Sequence, residues 1–231
     1  MKRSILFAIG GSILIFLAGC MATRSISDSG FDRDYSYRGE IREIDLVGSG
    51  NETNISESDI TEALKSAPVS SKLPRGAKVL VIQSGASTPD ESFLAEMNQS
   101  IVAVPFSGVP AGNKAPLSKA LRLTAARGGI AHILCYWGVL ESAKRDSSGK
   151  VVSWIPVAGL FVPDEKQEMR IRLRAIIIDV PSGHWTMVTP PPFEDTASSA
   201  AVIRKSSDQK QVDRLKRSAY HELAQSLVSD K

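Results

Sequence analysis

The chain has 231 residues, of which 42% are hydrophobic, 23% charged and 6% aromatic, as is typical of a globular protein with one or two domains. This composition, with two cysteines, excludes a collagen, a disulfide-rich scaffold, a multi-span membrane protein and a wholly disordered chain. The formal net charge is +3, but Lys2 and Arg3 lie in an apolar leader. The rest of the chain is close to neutral, so no electrostatic argument favours a nucleic-acid partner.

The first 20 residues predict a lipoprotein signal. Two basic residues precede an uncharged apolar run of about 15 residues, which is shorter than the roughly 20 that a membrane-spanning helix needs. The run ends in Leu17-Ala18-Gly19-Cys20, which matches the lipobox of bacterial lipoproteins. The resemblance implies that 1–19 is a signal peptide, and that Cys20 carries a diacylglyceryl thioether and an amino-terminal acyl chain such as palmitate. These lipids would anchor the protein in a bilayer. An uncleaved anchor and a soluble secreted protein are the alternatives.

The residue after the lipobox bears on localisation. In enterobacterial lipoproteins an aspartate at this position retains the protein in the inner membrane, and here the residue is Met21. The resemblance therefore implies an outer-membrane protein that faces the periplasm, with the inner membrane as the alternative. With Cys20 lipidated, Cys135 has no partner in the chain, and its apolar neighbours predict a buried side chain rather than a nucleophile.

The mature chain divides by composition near residue 55. Residues 20–54 are rich in Ser, Gly, Asp and Asn, which predicts a lipidated cysteine followed by a flexible tether, with one edge strand over 40–47. Residues 55–231 are expected to form a single globular domain.

Apolar periodicity and turn residues place the elements of this domain. The predicted order is a helix at 57–66, a strand at 77–83, a helix from Pro89, a strand at 101–104, a helix from Pro116 that closes at Gly128-Gly129, strands at 130–142, 151–162, 169–180 and 185–188, and a helix at 208–229. Early strands that alternate with helices favour parallel pairing, and later hairpins favour antiparallel pairing. The sequence therefore predicts an α/β fold with one mixed sheet flanked by helices.

Two surface features are candidates for binding. Strict alternation along 169–176 places Arg170, Arg172 and Arg174 on one face of a strand, as a row suited to carboxylates or phosphates. The alternative is a solvated face whose arginines pair with neighbours such as Glu141 or Glu168. The strand at 151–162 carries Trp154 and Phe161 around Pro156. Because proline cannot donate to a ladder, an edge position or a bulge at Pro156 is expected. This edge would be covered by the protein itself, by a second copy or by another envelope protein.

Motifs for catalysis or metal binding are missing from the sequence. None of the three histidines has a zinc-binding spacing, and there is no Cys-x-x-Cys pair, so neither a metal nor another cofactor is expected. The chain has no Gly-x-Ser-x-Gly elbow and no Walker A loop. Ser84, at the end of a predicted strand, and His184, in a predicted turn, are the positions where an unrecognised hydrolase site would lie.

The globular part resembles a group of envelope lipoproteins. The segment 125–134 is similar to the helix, glycine turn and central strand of the curli-secretion lipoprotein and of the outer-membrane activators of penicillin-binding proteins. The segment 179–185 is similar to their hairpin. The resemblance implies the α/β fold and an envelope location, and it carries over no functional residue.

Three functions stay open at this point. The first is a non-enzymatic, membrane-anchored module that binds or assists another envelope protein. The second is a periplasmic hydrolase with a site near Ser84 or His184. The third is an oligomeric assembly component that self-associates through the strand with Trp154.

Overall fold

A computed structural model of the chain describes residues 25–28, 39–48, 56–66, 72–109, 117–145, 152–156, 166–198 and 204–229. After a single 3₁₀ turn at Ile26–Asp28, the helices in this part of the chain are α1 Glu43–Val47, α2 Glu57–Ser66, α3 Glu91–Met97, α4 Leu117–Arg127 and α5 Arg204–Leu227. The strands are β1 Lys78–Gln83, β2 Val102–Phe106, β3 His132–Arg145, β4 Val152–Pro156, β5 Lys166–Asp179, β6 Trp185–Val188 and β7 Phe193–Ser198.

The seven described strands join one sheet, and its mixed character is what the sequence predicts. The main path runs β2-β1-β3-β5-β6, with β2, β1 and β3 parallel and the remaining pairs antiparallel. β3 and β5 have 14 residues each and are longer than the other strands. β4 therefore pairs with the last residues of β3, and β7 pairs with the first residues of β5.

Helices cover both faces of the sheet. One face packs against α3 and α5, through side chains such as Phe93, Met97 and Leu223. The other face packs against α1 and α4, through Leu46 and Leu121. β1 is buried on both faces, which explains why its sequence reads as a continuous apolar run rather than an alternating one.

Local signals explain most element boundaries. Asp90 precedes α3, and the acidic Glu91 in its first turn suits the positive end of the helix dipole. α4 ends at Arg127 and is followed by Gly128 and Gly129, of which Gly129 has a φ of 65°, a conformation that favours glycine.

Two elements differ from the prediction. The segment 40–47, expected as an edge strand, contains the short helix α1, because Ile41 and Leu46 both turn onto the sheet while Arg42 pairs with Asp45 one turn later. β7 was not expected, because a polar segment after three prolines has neither the alternation nor the apolar content of a predicted strand.

The described residues before 55 contribute to the core. Ile26 is 2% exposed, Ile41 4% and Leu46 1%. The division into tether and domain at residue 55 stays a prediction, but these three side chains belong to the packed domain. No helix in the described parts of the chain is long and apolar enough to cross a membrane.

Candidate functional site

The carboxyl end of the parallel strands is where open α/β sheets usually bind ligands. Here that end is filled by the chain's own amino-terminal segment. Ile26 packs into the core on one face of the sheet, and Ile41 packs into the core on the other. Ile26 and Ile41 thus lie on opposite faces of the sheet.

Ser84, the candidate nucleophile, is part of this closure. It is 1% exposed, and its hydroxyl accepts a hydrogen bond of 2.8 Å from the Ile41 N–H. Its carbonyl accepts a second bond, of 2.7 Å, from the Ser27 hydroxyl. On the other side of Ile41, the Trp137 indole N–H donates to the Ile41 carbonyl at 2.8 Å. Ser84 therefore fastens the amino-terminal segment to the sheet.

His184 lies at the opposite end of the sheet from Ser84. It follows β5, whose last residue Asp179 pairs with His132 at the start of β3, whereas Ser84 follows the end of β1. The His184 Nε2 is 3.3 Å from the hydroxyl of Ser66 at the end of α2. The structure does not bring the two candidate hydrolase residues together.

Beside Ser84, a buried polar cluster joins α3, α5, β1 and β3. The Tyr136 hydroxyl donates to the Gln83 side-chain oxygen at 2.5 Å, and that oxygen also accepts from the Asp90 N–H at 2.7 Å. The Asp90 carboxylate accepts from the Tyr220 hydroxyl at 2.5 Å and from Lys216 at 2.8 Å. The rings of the two tyrosines meet edge to face, 5.9 Å apart.

This cluster is suited to structure rather than to proton transfer. Burial, with the nearby Asp90 charge, raises the pKa of Tyr136 well above its ordinary value. Burial and the neighbouring tyrosine and Asp90 do the same to the pKa of Tyr220. Both hydroxyls therefore stay protonated near neutral pH and act as donors. The helical pattern of 208–229 could have indicated Tyr220, but nothing local to the sequence predicts its partner Asp90.

The predicted arginine row exists, and it is paired. Met169, Ile171 and Leu173 are buried under α5, so Arg170 and Arg172 project from the opposite face, as the alternation predicts. Glu141 of β3 lies between these two arginines, with its side chain 5% exposed. The Arg170 Nε donates to Glu141 at 2.5 Å, and Arg172 donates through two nitrogens at 2.6 and 3.1 Å.

The arginines decide the charge of Glu141. Burial by itself raises the pKa of the Glu141 carboxyl, but the hydrogen bonds and charges of Arg172 and Arg170 outweigh burial and lower that pKa below its ordinary value. Glu141 is therefore a carboxylate at neutral pH. Arg172 keeps about half of its side chain exposed beside this ion pair.

Arg174 has different partners from its neighbours. Its guanidinium is 2.8 Å from the Glu43 carboxylate of α1 and 5.5 Å from the centre of the Trp137 ring. A cation over the face of tryptophan is attracted by the ring electrons. Arg174 therefore attaches α1 to the sheet, and the row as a whole is compensated by carboxylates.

Within the described parts of the chain, the strand with Trp154 has the edge position that its proline predicts. Among the described residues, β4 pairs with β3 alone, and Pro156 lies at its last paired position, opposite Glu141. Trp154 stands opposite Ala143 in this ladder. Phe161 and Cys20 lie outside the described residues.

The burial of Cys135 agrees with the prediction from its apolar neighbours. Cys135 is fully buried in β3, as predicted, and burial, with the nearby Glu40 charge, raises the pKa of its thiol well above the ordinary value. Where the structure describes the chain, no group of three or more His, Cys, Asp or Glu side chains is arranged to hold a metal ion.

A polar groove of about 400 Å³ lies between the end of α3 and α5. His221 in this groove has its Nδ1 3.0 Å from the Glu96 carboxylate and its Nε2 2.9 Å from the Gln225 amide. Ser100 lines the same groove, and its hydroxyl accepts from Arg75 at 3.2 Å. Because Gln225 occupies the ring nitrogen that a nucleophile would need, the groove does not form a serine–histidine pair.

Comparison with known proteins assigns the chain to a family. No curated protein matches it. A profile described as YafT bacterial lipoprotein matches residues 42–230, which include every strand of the sheet and helices α1 to α5. The chain therefore belongs to the YafT bacterial lipoprotein family.

Proposed function

We propose that this lipoprotein is anchored in the outer membrane through acylated Cys20, faces the periplasm, and uses its α/β domain as a non-enzymatic binding or accessory module for another envelope protein. The lipobox and the family support the anchor. Met21 in place of a retention aspartate supports the outer membrane.

One observation carries the choice of a binding module over an enzyme. The usual ligand position of an open α/β sheet is occupied by Ile26, Ser27 and Ile41 of the same chain. Ser84, at the centre of that position, is buried and hydrogen-bonded to Ile41 rather than facing a cleft. Recognition through an outer surface is therefore better supported than chemistry in an internal pocket.

The outer edge of β4 is the surface that fits such recognition best. Within the described residues, β4 has a neighbour on one side only, and a strand edge of this kind can accept a strand from a partner. Arg172, about half exposed, lies two strands away and could contact an acidic side chain of that partner.

Site-specific photocrosslinking in cells tests this proposal. A photoreactive residue at Trp154 or Arg172 is expected to yield one dominant crosslinked envelope protein, identified by mass spectrometry. Trp185, 49% exposed on β6 at the opposite side of the sheet, is the matched control and is expected to yield far less of that product. Crosslinks only between copies of the chain would support the assembly component instead. No crosslink at either site would refute the binding surface.

Two substitutions test the anchor. Cys20→Ala is expected to release the protein from the membrane fraction into the soluble periplasm. Met21→Asp introduces the retention residue of enterobacterial lipoproteins, and density fractionation is expected to find this variant in the inner rather than the outer membrane. A Cys20→Ala protein that stays membrane-bound would refute lipid anchoring through this residue.

A further inference from the structure

The chain is fastened to the folded domain only five residues after Cys20. Ser25 forms a backbone bridge with Val139 of β3, and Ile26 is buried in the core beside it. Lys216 of α5 donates to the Ile26 carbonyl at 3.2 Å, and the Ser27 hydroxyl donates to the Ser84 carbonyl at 2.7 Å. These contacts tie the segment to α5, β1 and β3 at once.

The sheet is shaped to receive this segment. A Cβ at Gly138 would lie 2.7 Å from the side chain of Ile26 and 2.6 Å from that of Leu173, closer than side-chain carbons approach one another. Glycine at this position leaves the space that Ile26 fills. The docking of Ile26 is thus matched by a feature of β3 far away in the sequence.

The direction of the segment follows from the ladder. β5 pairs with one edge of β3 along 132–142, so Ser25 and β4 both lie along the other edge. The bridge of Ser25 to Val139 is antiparallel. At Ser25 the direction toward the amino terminus therefore points from Val139 toward Arg145, the end of β3 where β4 begins.

Covalent geometry limits how far the lipid can be from this end. The five steps from Cys20 to Ser25 span at most about 18 Å, whatever the conformation of the residues between them. At about 3.3 Å per strand residue, the sheet extends roughly 20 Å from Val139 to Arg145. The spacer, residues 20–25, is therefore no longer when fully extended than the sheet between Val139 and Arg145.

We propose that the domain rests against the bilayer, with the end of the sheet formed by the last residues of β3 and the first residues of β4 and β5 nearest to the lipid headgroups. The proposal rests on the lipidation of Cys20 proposed above. A partner that adds a strand to β4 would bind next to the membrane.

Headgroup quenching in vesicles tests this orientation. Full-length protein with Ser153→Cys on β4, or with Arg127→Cys at the end of α4, is labelled with a fluorophore and reconstituted into phosphatidylcholine–phosphatidylglycerol vesicles that contain a nitroxide-headgroup lipid. Cys135 is fully buried and Cys20 is acylated, so the label reacts at the introduced residue. Arg127 precedes the start of β3, roughly 40 Å from the level of Ser153. We expect quenching at least threefold stronger at position 153 than at position 127.

A longer spacer is the matched control. Twenty Gly/Ser residues inserted between Arg24 and Ser25 leave every docked residue in place, and a flexible chain of that length adds roughly 25 Å of reach. Quenching at position 153 is expected to fall to the level at position 127. Equal quenching of the two positions in the protein with its native spacer would overturn the proposal, and so would quenching that the insertion does not change.

Flotation of the vesicles separates this proposal from the anchor itself. The native chain is expected to float with the vesicles, and Cys20→Ala is expected not to. If both float equally well, the lipid anchor is refuted and the orientation falls with it. If only the native chain floats but the two labels are quenched equally, the orientation alone is refuted.

Discussion

Glu141 shows how one carboxylate determines the character of a surface. Three arginines in alternation suggest an anion-binding strand, but Glu141 from the neighbouring strand accepts hydrogen bonds from two of them. A carboxylate is tolerated in such a buried position because charged partners and hydrogen bonds compensate its loss of hydration. The first property of this surface is therefore cohesion between β3 and β5.

We predict that Glu141→Gln lowers the free energy of unfolding at pH 7 by about 1.5–3 kcal/mol, the range for a lost hydrogen bond to a charged group. Because the pKa of Glu141 is lowered in the folded state, its contribution is present above the ordinary glutamate pKa and is lost as the pH falls through the folded pKa. The difference between the two proteins should therefore narrow as the pH falls below about 4. Urea unfolding at several pH values measures it.

Glu194→Gln is the control for this prediction. Glu194 is 4.0 Å from Arg170, but its side chain is 59% exposed, and exposed ion pairs contribute little. Its substitution should change stability by less than about 0.5 kcal/mol. An effect of Glu141→Gln as small as that of Glu194→Gln would show that the arginines do not depend on Glu141.

Residue-level predictions from the sequence succeed where they rest on the alternation of a regular strand. The alternation of 169–175 predicts which side chains face the core, and Glu141 was a named candidate partner of the arginines. Glu43, the partner of Arg174, lies on a segment that composition alone assigns to a tether. Its pairing depends on the tertiary packing of α1, which no local pattern encodes.

At the scale of elements, α2 illustrates a helix specified by local signals. The Ser56 hydroxyl accepts a hydrogen bond from the Asp59 N–H, and the Asp59 carboxylate accepts one from the Ser56 N–H. The sequence predicts the span of this helix, 57–66, correctly. None of its residues is buried, and Leu64 is 72% exposed. Correct prediction of an element thus gives no information on whether the element packs.

We predict that Leu64→Ser changes the free energy of unfolding by less than about 0.5 kcal/mol, as expected for an exposed position. Leu121→Ala on α4 is the comparison, because Leu121 is 6% exposed in the core against β1 and β3. It should cost about 2–5 kcal/mol. Chemical denaturation of both variants provides the test, and a large loss for Leu64→Ser would mean that α2 is packed in solution.

Elements with strong periodicity are predicted better than those specified by their neighbours. The apolar run of β1 and the hairpin of β5 and β6 are read from the sequence because their side chains are buried in a regular order. β7 is a strand because the long β5 offers it an unpaired edge, and its own residues do not require that conformation. The same reason explains why 40–47, flanked by polar residues, was assigned the wrong structure.

For the whole molecule, composition and burial differ in the residues before position 55, and the boundary placed there stays a prediction. Composition places the start at residue 55, since apolar residues before it are sparse. The few that occur there are nevertheless almost fully buried: Ile26, Ile41 and Leu46. Composition averages over a window, whereas packing depends on individual side chains.

We predict that a chain of residues 55–231 is less stable than a Cys20→Ala chain of residues 20–231 by about 5 kcal/mol. The estimate follows from roughly 1.5–3 kcal/mol for each of three buried aliphatic side chains, reduced for residual burial in the unfolded chain. Urea denaturation followed by circular dichroism compares the two. Equal stabilities would show that the amino-terminal segment contributes nothing to the fold and would support the boundary at residue 55.

The burial of Cys135 in the middle of β3 has a practical consequence. β1 and β5 flank its backbone, and α1 and α4 pack on its face of the sheet, so its thiol becomes reactive only when these layers separate. Its rate of alkylation by a small reagent therefore counts openings of the sheet in the intact, membrane-bound protein. A partner that stabilises the domain would therefore lower the alkylation rate of Cys135 without contacting the cysteine.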